Sequence, residues 1–138
     1  MELFTLSAYE TSAEAFFQAL QEHGADLVLD VRLRNTNQLC GFTKEKDLAY
    51  FVPRITGAKY IHDLRLAPYP ALQLSAYQNH NIDWTRYREG YLEQMKASHA
   101  AAYFYQHYGK FAHVCILGTA TKKRRSHSEA LVDYLRQP

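Results

Sequence analysis

An aspartate and an arginine two residues apart, Asp30 and Arg32, stand at the end of the apolar run Leu27-Val28-Leu29-Asp30-Val31. In an extended chain, residues i and i+2 project to the same side. The two side chains can therefore pair with each other, or act together on a ligand. In the second case Arg32 binds an anionic or carbonyl group through its planar fork of donors, and Asp30 orients it. His62 ends another extended run, Lys59-Tyr60-Ile61-His62, and is followed by Asp63. An imidazole titrates near neutral pH and can move protons; it can equally be a hydrogen-bonded structural residue. A third group lies between Gly118 and Ser128, where Thr119 and Thr121 lead into Lys122-Lys123-Arg124-Arg125 and then Ser126-His127. A strand end, a loop and a helix start together favour an anion, through free backbone amides and the helix dipole. Arginines add charge-assisted hydrogen bonds. A basic run of this kind is also what a solvated turn looks like, and Ser126 can serve simply as a helix cap.

These three places define the candidates. Asp30, Arg32, His62 and His127 are the catalytic candidates, and Arg32, Thr119, Thr121, Arg124, Arg125 and Ser126 the anion-binding ones. No histidine pair has a helical metal-ligand spacing, so no metal site is expected, and no pattern specifies a cofactor. The glycine spacing of a phosphate-binding P-loop is missing. Cys40 lies in a loop and could act as a nucleophile, but its neighbours in sequence supply no base.

The elements that must position these residues follow from periodicity. Leu3 to Leu6 reads as a first strand. Thr11 and Glu14 have capping-box spacing, ahead of a helical face of Ala13, Phe16, Phe17 and Leu20. Gly24 stops that helix. The run at 27–31 reads as a strand covered on both faces, and Asn35 to Gly41 as a polar loop. Leu48, Phe51, Val52 and Ile55 mark a second helix ending near Gly57, and Lys59 to His62 a third strand. Pro68 and Pro70 break the chain before a helical segment that runs to about Tyr77. Asp83 can cap a helix with Trp84, Tyr87, Tyr91 and Met95 on one face. Ala101, Phe104, Tyr105 and Tyr108 form another helical face, closed by Gly109. His113 to Gly118 is the last strand, and Ala130, Leu131, Tyr134 and Leu135 mark a final helix. Alternating strands and helices predict one α/β domain over residues 1–138, with a mainly parallel sheet flanked by helices in three layers. In such sheets ligands bind beyond the carboxyl ends of the strands, which is where the three groups lie.

Composition narrows the class. With 138 residues, 47% of them apolar and 22% charged, the chain is one ordinary globular domain. With a net charge of +2 the chain as a whole is not a polyelectrolyte binder, although its charge is uneven, with Lys122 to Arg125 together. The 11 Tyr, 7 Phe and single Trp suit a packed core with amphipathic edges; they also permit a homodimer interface. Cys40 and Cys115 make no disulfide framework, and Cys115, in an apolar run, reads as a buried thiol. The N-terminus lacks the pattern of a signal peptide, and no apolar run approaches the roughly 20 residues that span a bilayer. A cytoplasmic location without membrane association is the expectation.

The order of motifs resembles domain-of-unknown-function family 488. It runs from a capped helix with paired phenylalanines to a strand ending Asp30-Val31-Arg32. Gly41-Phe42, Tyr60-Ile61-His62 and Leu64 follow, and then a helix carrying Trp84, Tyr87 and Tyr91. Nearly the whole chain is covered. The family usually has Pro and Ser shortly after Asp-Val-Arg, where this chain has Arg34-Asn35-Thr36-Asn37. Its Leu-Gly after the His strand is here Leu66-Ala67. Its last strand ends Cys-x-Glu and its last helix opens Cys-His-Arg; the corresponding residues here are Gly118, Ala120, Ser126, His127 and Ser128. Only the histidine is kept, so the resemblance implies a divergent member.

Two functional classes follow. One is an enzyme acting on a phosphorylated, nucleotide or nucleic-acid substrate. Arg32 and the last helix start would hold the anion, and His62 or His127 would move protons. The other is a binding or accessory module that recognises a phosphate-bearing small molecule or nucleic acid without turnover.

Overall fold

Strand β2 (Leu27–Asp30) is buried along its whole length, as a nearly unbroken apolar sequence requires. The computed structural model, which describes residues 1–69 and 71–137, sets it inside an all-parallel four-stranded sheet. The other strands are β1 (Glu2–Ser7), β3 (Lys59–His62) and β4 (His113–Gly118). Their order is β1-β4-β2-β3, with Leu29 beside Ile116 on one side and Ile61 on the other. The helices are α1 (Ala13–Glu22), α2 (Glu45–Thr56), α3 (Ala71–Gln78), α4 (Trp84–Ala97), α5 (Ala100–Tyr108) and α6 (His127–Leu135). Short 3-10 turns occupy Gln38–Thr43 and Leu64–Leu66.

The strand order dictates the layers. From β1 to β2 to β3 the chain advances across the sheet through α1 and α2; from β3 to β4 it returns through α3, α4 and α5. Crossovers of one hand must then place the two helix groups on opposite faces. The core divides accordingly. Val28, Cys115 and Leu117 pack against Phe16, Phe17 and Leu20 of α1 and Leu48 and Val52 of α2. Leu27, Leu29 and Ile116 pack against Tyr91 and Met95 of α4, Phe104 of α5 and Leu131 of α6. Burying a large apolar side chain contributes roughly 1.5–3 kcal/mol, so both faces are well held. The result is the expected α/β domain, a parallel sheet between helical layers.

Several local expectations shift. The cap of α1 is Ser12, whose Oγ accepts from the amide of Ala15, and not Thr11, whose hydroxyl donates to the Ser12 carbonyl. The box with Glu14 therefore does not form, because the helix begins one residue later. On α2, Phe51 and Ile55 are 37% and 42% exposed; their stripe is wider than the sheet covers. The polar loop after β2 contains a 3-10 turn kinked at Gly41, which has φ 60° and ψ −130°. Pro70 lies outside the described residues. Two of the buried tyrosines turn their hydroxyls to acceptors: Tyr91 donates to the Leu66 carbonyl at 2.7 Å, Tyr77 to the Arg125 carbonyl at 2.9 Å. Among the described residues, no helix is long and apolar enough to cross a membrane.

Candidate anion site

At the carboxyl end of β2 the Asp30 carboxylate is fully buried and collects five donors. Oδ1 accepts from the Arg32 amide at 3.1 Å and from Arg32 Nε at 2.9 Å. Oδ2 accepts from Arg32 Nη2 at 2.7 Å, Asn35 Nδ2 at 3.0 Å and Tyr60 Oη at 2.5 Å. Burial raises the carboxyl pKa, but the hydrogen bonds and charge of Arg32, with Tyr60 and Asn35, outweigh it and hold Asp30 below the ordinary carboxylate range. A carboxylate offers about four lone-pair sites. Asp30 is saturated and has no lone pair left for a substrate proton.

Arg32 is itself only 1% exposed. Nε and Nη2 are turned to Asp30, and Nη2 also donates to the Thr43 carbonyl at 2.6 Å. The third nitrogen, Nη1, is buried with no hydrogen-bond partner among the described residues. A buried donor left unpaired costs more than the bond would contribute, and a charged one costs most.

Both catalytic-candidate histidines bind the backbone on which Arg32 is carried. His127 Nε2 lies 2.6 Å from the Val31 carbonyl, and His62 Nε2 lies 2.7 Å from the Arg32 carbonyl. A carbonyl only accepts, so each Nε2 carries the proton. The Val31–Arg32 segment is thus held by one imidazole from β3 and one from α6. His127 is 2% exposed; burial pulls its pKa down to about 4, against the opposing pull of the Val31 bond and of Asp30. It is neutral at pH 7. Its Nδ1 sits 3.4 Å from Ser126 Oγ. His62 turns its Nδ1 to Glu45, at 3.6 Å.

A cleft of about 180 Å³ opens between the ends of β2 and β4. That is where the strand connections leave on opposite faces, and where ligands of open α/β sheets bind. Arg32, Arg34, Asn37, Cys40, Thr119 and His127 line it, and none of its lining residues is an Asp or Glu. Asp30 and His62 do not line it. Asp30 lies beneath the guanidinium it orients, and His62 is engaged with the Arg32 carbonyl and Glu45.

The basic run is placed otherwise. Thr121 and Arg124 bond to each other across a tight turn, amide to carbonyl in both directions, and the Lys122 amide donates to Glu10. Arg125 pairs with Glu129 at 2.9 Å and lies 4.8 Å from the Trp84 ring centre. Arg124 reaches toward the Gln78 carbonyl, 3.4 Å away. Neither arginine lines the cleft, and neither does Thr121. Ser126 caps α6 in a full capping box with Glu129, while its Oγ also accepts from the Thr119 amide at 3.1 Å. The helix start is therefore closed by its own side chains.

Gly118 explains part of this packing. A Cβ there would lie 2.7 Å from Ser126 Oγ and collide with Ser128, so only glycine lets α6 begin this close to β4. Gly118 and Ser126 are the two positions at which the family resemblance puts cysteines, and they are spatial neighbours. Reading the sequence missed Tyr60, Asn35 and Arg34. Tyr60 had a usable signal, since it pairs with Val28 in register and so shares the face of Asp30. Asn35 and Arg34 sit in irregular chain, where no periodicity points.

A larger cavity of about 450 Å³ lies between Leu64, Arg65, Tyr69, Gln94 and Tyr103. Its lining is mostly apolar, and its one cation, Arg65, lies over the Tyr103 ring at 4.9 Å. None of the unpaired buried polar atoms among the described residues lines it. No group of three His, Cys, Asp or Glu among the described residues could hold a metal ion.

Residues 12–135 match the family described as Domain of unknown function DUF488. No curated protein and no solved structure gives a match.

Proposed function

We propose, from the premise that the chain belongs to the DUF488 family, that it is a binding module whose cleft recognises the phosphate of a small ligand without turning it over. The observation that carries this reading is the buried Arg32 guanidinium with one unpartnered nitrogen, in a cleft with a second arginine and no carboxylate. In this reading Asp30 and Tyr60 orient the guanidinium, His62 and His127 brace its backbone, and Arg34 and Thr119 complete the phosphate contacts. Charge-assisted hydrogen bonds to a buried guanidinium are the strong kind, and one preorganised donor with no internal partner loses nothing on binding.

The enzyme reading asks more of the same residues. A proton carrier must reach the ligand and change charge near neutral pH. Asp30 is saturated, His62 lies outside the cleft, and His127 is neutral with its Nε2 proton committed to Val31. Binding without turnover is the simpler consequence.

The test is titration of inorganic phosphate and a panel of nucleoside monophosphates by NMR. Expected are saturable shifts at Arg32, Arg34 and Thr119, lost in Arg32→Ala, with no hydrolysis of phosphomonoesters. Unchanged phosphate binding in Arg32→Ala would sink the reading. Phosphomonoester turnover that Arg32→Ala abolishes would replace it with the enzyme. DNA affinity falling steeply with salt, with no small-molecule binding, would move the partner to nucleic acid.

A further inference from the structure

Cys40 shares the cleft with Arg32, and the two are tied together. Nη2 of Arg32 donates to the Thr43 carbonyl at 2.6 Å. Thr43 Oγ1 donates to the Cys40 carbonyl at 2.7 Å, and the Cys40 amide donates to the Asn37 carbonyl at 3.0 Å. The kink at Gly41 ends the turn immediately after the cysteine. The guanidinium that keeps a buried nitrogen without a partner thus also anchors the turn that presents the thiol. Cys40 is half-buried, whereas the second cysteine, Cys115, is wholly enclosed in the core. A thiol in a cleft lined by two arginines and by no Asp or Glu favours reagents of negative charge.

We propose that Cys40 is a modification site for small anionic disulfides of the glutathione type, whose carboxylate is held by Arg32 and Arg34 while the thiolate attacks. This rests on the anion site proposed above. The Cys40 thiol gives its proton to solvent. Its sulfur then attacks one sulfur of the reagent, and a new S–S bond forms as the old one breaks. The leaving thiolate takes the electron pair of the broken bond and picks up a proton from solvent, so the disulfide itself is the only oxidant. The adduct places its carboxylate on the cleft arginines, so modification and phosphate binding exclude each other.

The test uses two alkylating reagents of nearly equal size, iodoacetate and iodoacetamide, on the intact protein. Each is attacked at carbon by the thiolate and releases iodide. Labelling is located by peptide mass, with Cys40→Ser as the blank. The expected rate ratio, iodoacetate over iodoacetamide, exceeds that of N-acetylcysteine by about tenfold or more, the worth of one hydrogen bond to a charged group. Arg34→Ala and Arg32→Lys lower the ratio, and millimolar phosphate slows iodoacetate. Oxidised glutathione adds one equivalent at Cys40 faster than the cationic disulfide cystamine. A ratio no higher than that of N-acetylcysteine overturns the proposal, as does label found chiefly on Cys115. The two readings fail separately. Phosphate binding with an unselective Cys40 removes only this inference. A selective Cys40 without phosphate binding keeps it and removes phosphate as the ligand. Loss of both removes the anion site altogether.

Discussion

The ends of β2 and β4 both carry arginine, and they use it in opposite ways. At β2 a single guanidinium is buried, paired through Nε and Nη2, and braced by two imidazoles on its own backbone. At β4 four consecutive cations lie on a turn, and the arginines satisfy themselves on Glu129, the Trp84 ring and the Gln78 carbonyl. Where the charge is denser, the arginines already have partners within the chain. An exposed cation is screened and mobile, and its pairs contribute little. The desolvated cation with a fixed orientation leaves Nη1 without a partner among the described residues. Charge density in the sequence thus did not mark the buried, fixed cation, which is the arginine two residues after a buried aspartate.

The largest effect that tests this contrast is on stability. Asp30→Ala strands the buried guanidinium, and an uncompensated buried charge costs about 3–5 kcal/mol. Chemical denaturation is expected to show that loss. A loss below about 1 kcal/mol would mean that Arg32 is not desolvated as described, and the two strand ends would no longer differ.

Next comes a pH dependence owed to His127. Its native pKa of about 4 lies below the value of about 6.5 for an unfolded histidine. Between these values the unfolded chain binds a proton that the native state does not. Stability is therefore full above pH 6.5 and falls as pH drops toward 4, by roughly 3 kcal/mol. His127→Gln, which keeps a donor for the Val31 carbonyl, should flatten denaturation midpoints between pH 6.5 and 4.5. If the wild-type midpoint is level there, the β2 backbone is not held by a buried neutral imidazole.

Arg32→Lys tests orientation rather than charge. Lysine keeps the cation but loses the fork that bonds Asp30 and still presents Nη1. Phosphate affinity is expected to fall by about 1.5–3 kcal/mol, the worth of a hydrogen bond to a charged group, as read by NMR titration. An unchanged affinity would reduce β2 to a point charge, equivalent to the run at β4.

The smallest effect sharpens the contrast from the other side. Arg124→Ala and Arg125→Ala, on the turn after β4, should each change stability by less than about 0.5 kcal/mol and phosphate affinity by less than about twofold. A tenfold loss of affinity in either variant would bring the basic turn into the site, and the difference between the two strand ends would disappear.

Much of the fold was legible because its signals are local. The strand at His113–Gly118 was delimited by its apolar run between polar flanks, and the caps Asp83 and Ser126 by residue type and spacing. Thr11 misled because its hydroxyl and that of Ser12 are neighbours of similar chemistry; only the helix start selects between them. The site was legible in part. Asp30 and Arg32 could be placed on one side of one strand by alternation. That His62 and His127 would grip consecutive carbonyls of the same segment could not, since it depends on β2 lying between β3 and β4.

The sequence by itself determined an α/β domain, the run of its strands and helices, and the placing of Asp30 and Arg32 on one side at the end of β2. Only the tertiary structure decided which cation is buried and fixed in orientation. His127 meets a carbonyl 96 residues away, and Arg32 turns Nε and Nη2 to Asp30 while Nη1 stays without a partner among the described residues. Periodicity and capping act over a few residues, whereas desolvation and hydrogen-bond saturation are properties of groups that the folded sheet brings together.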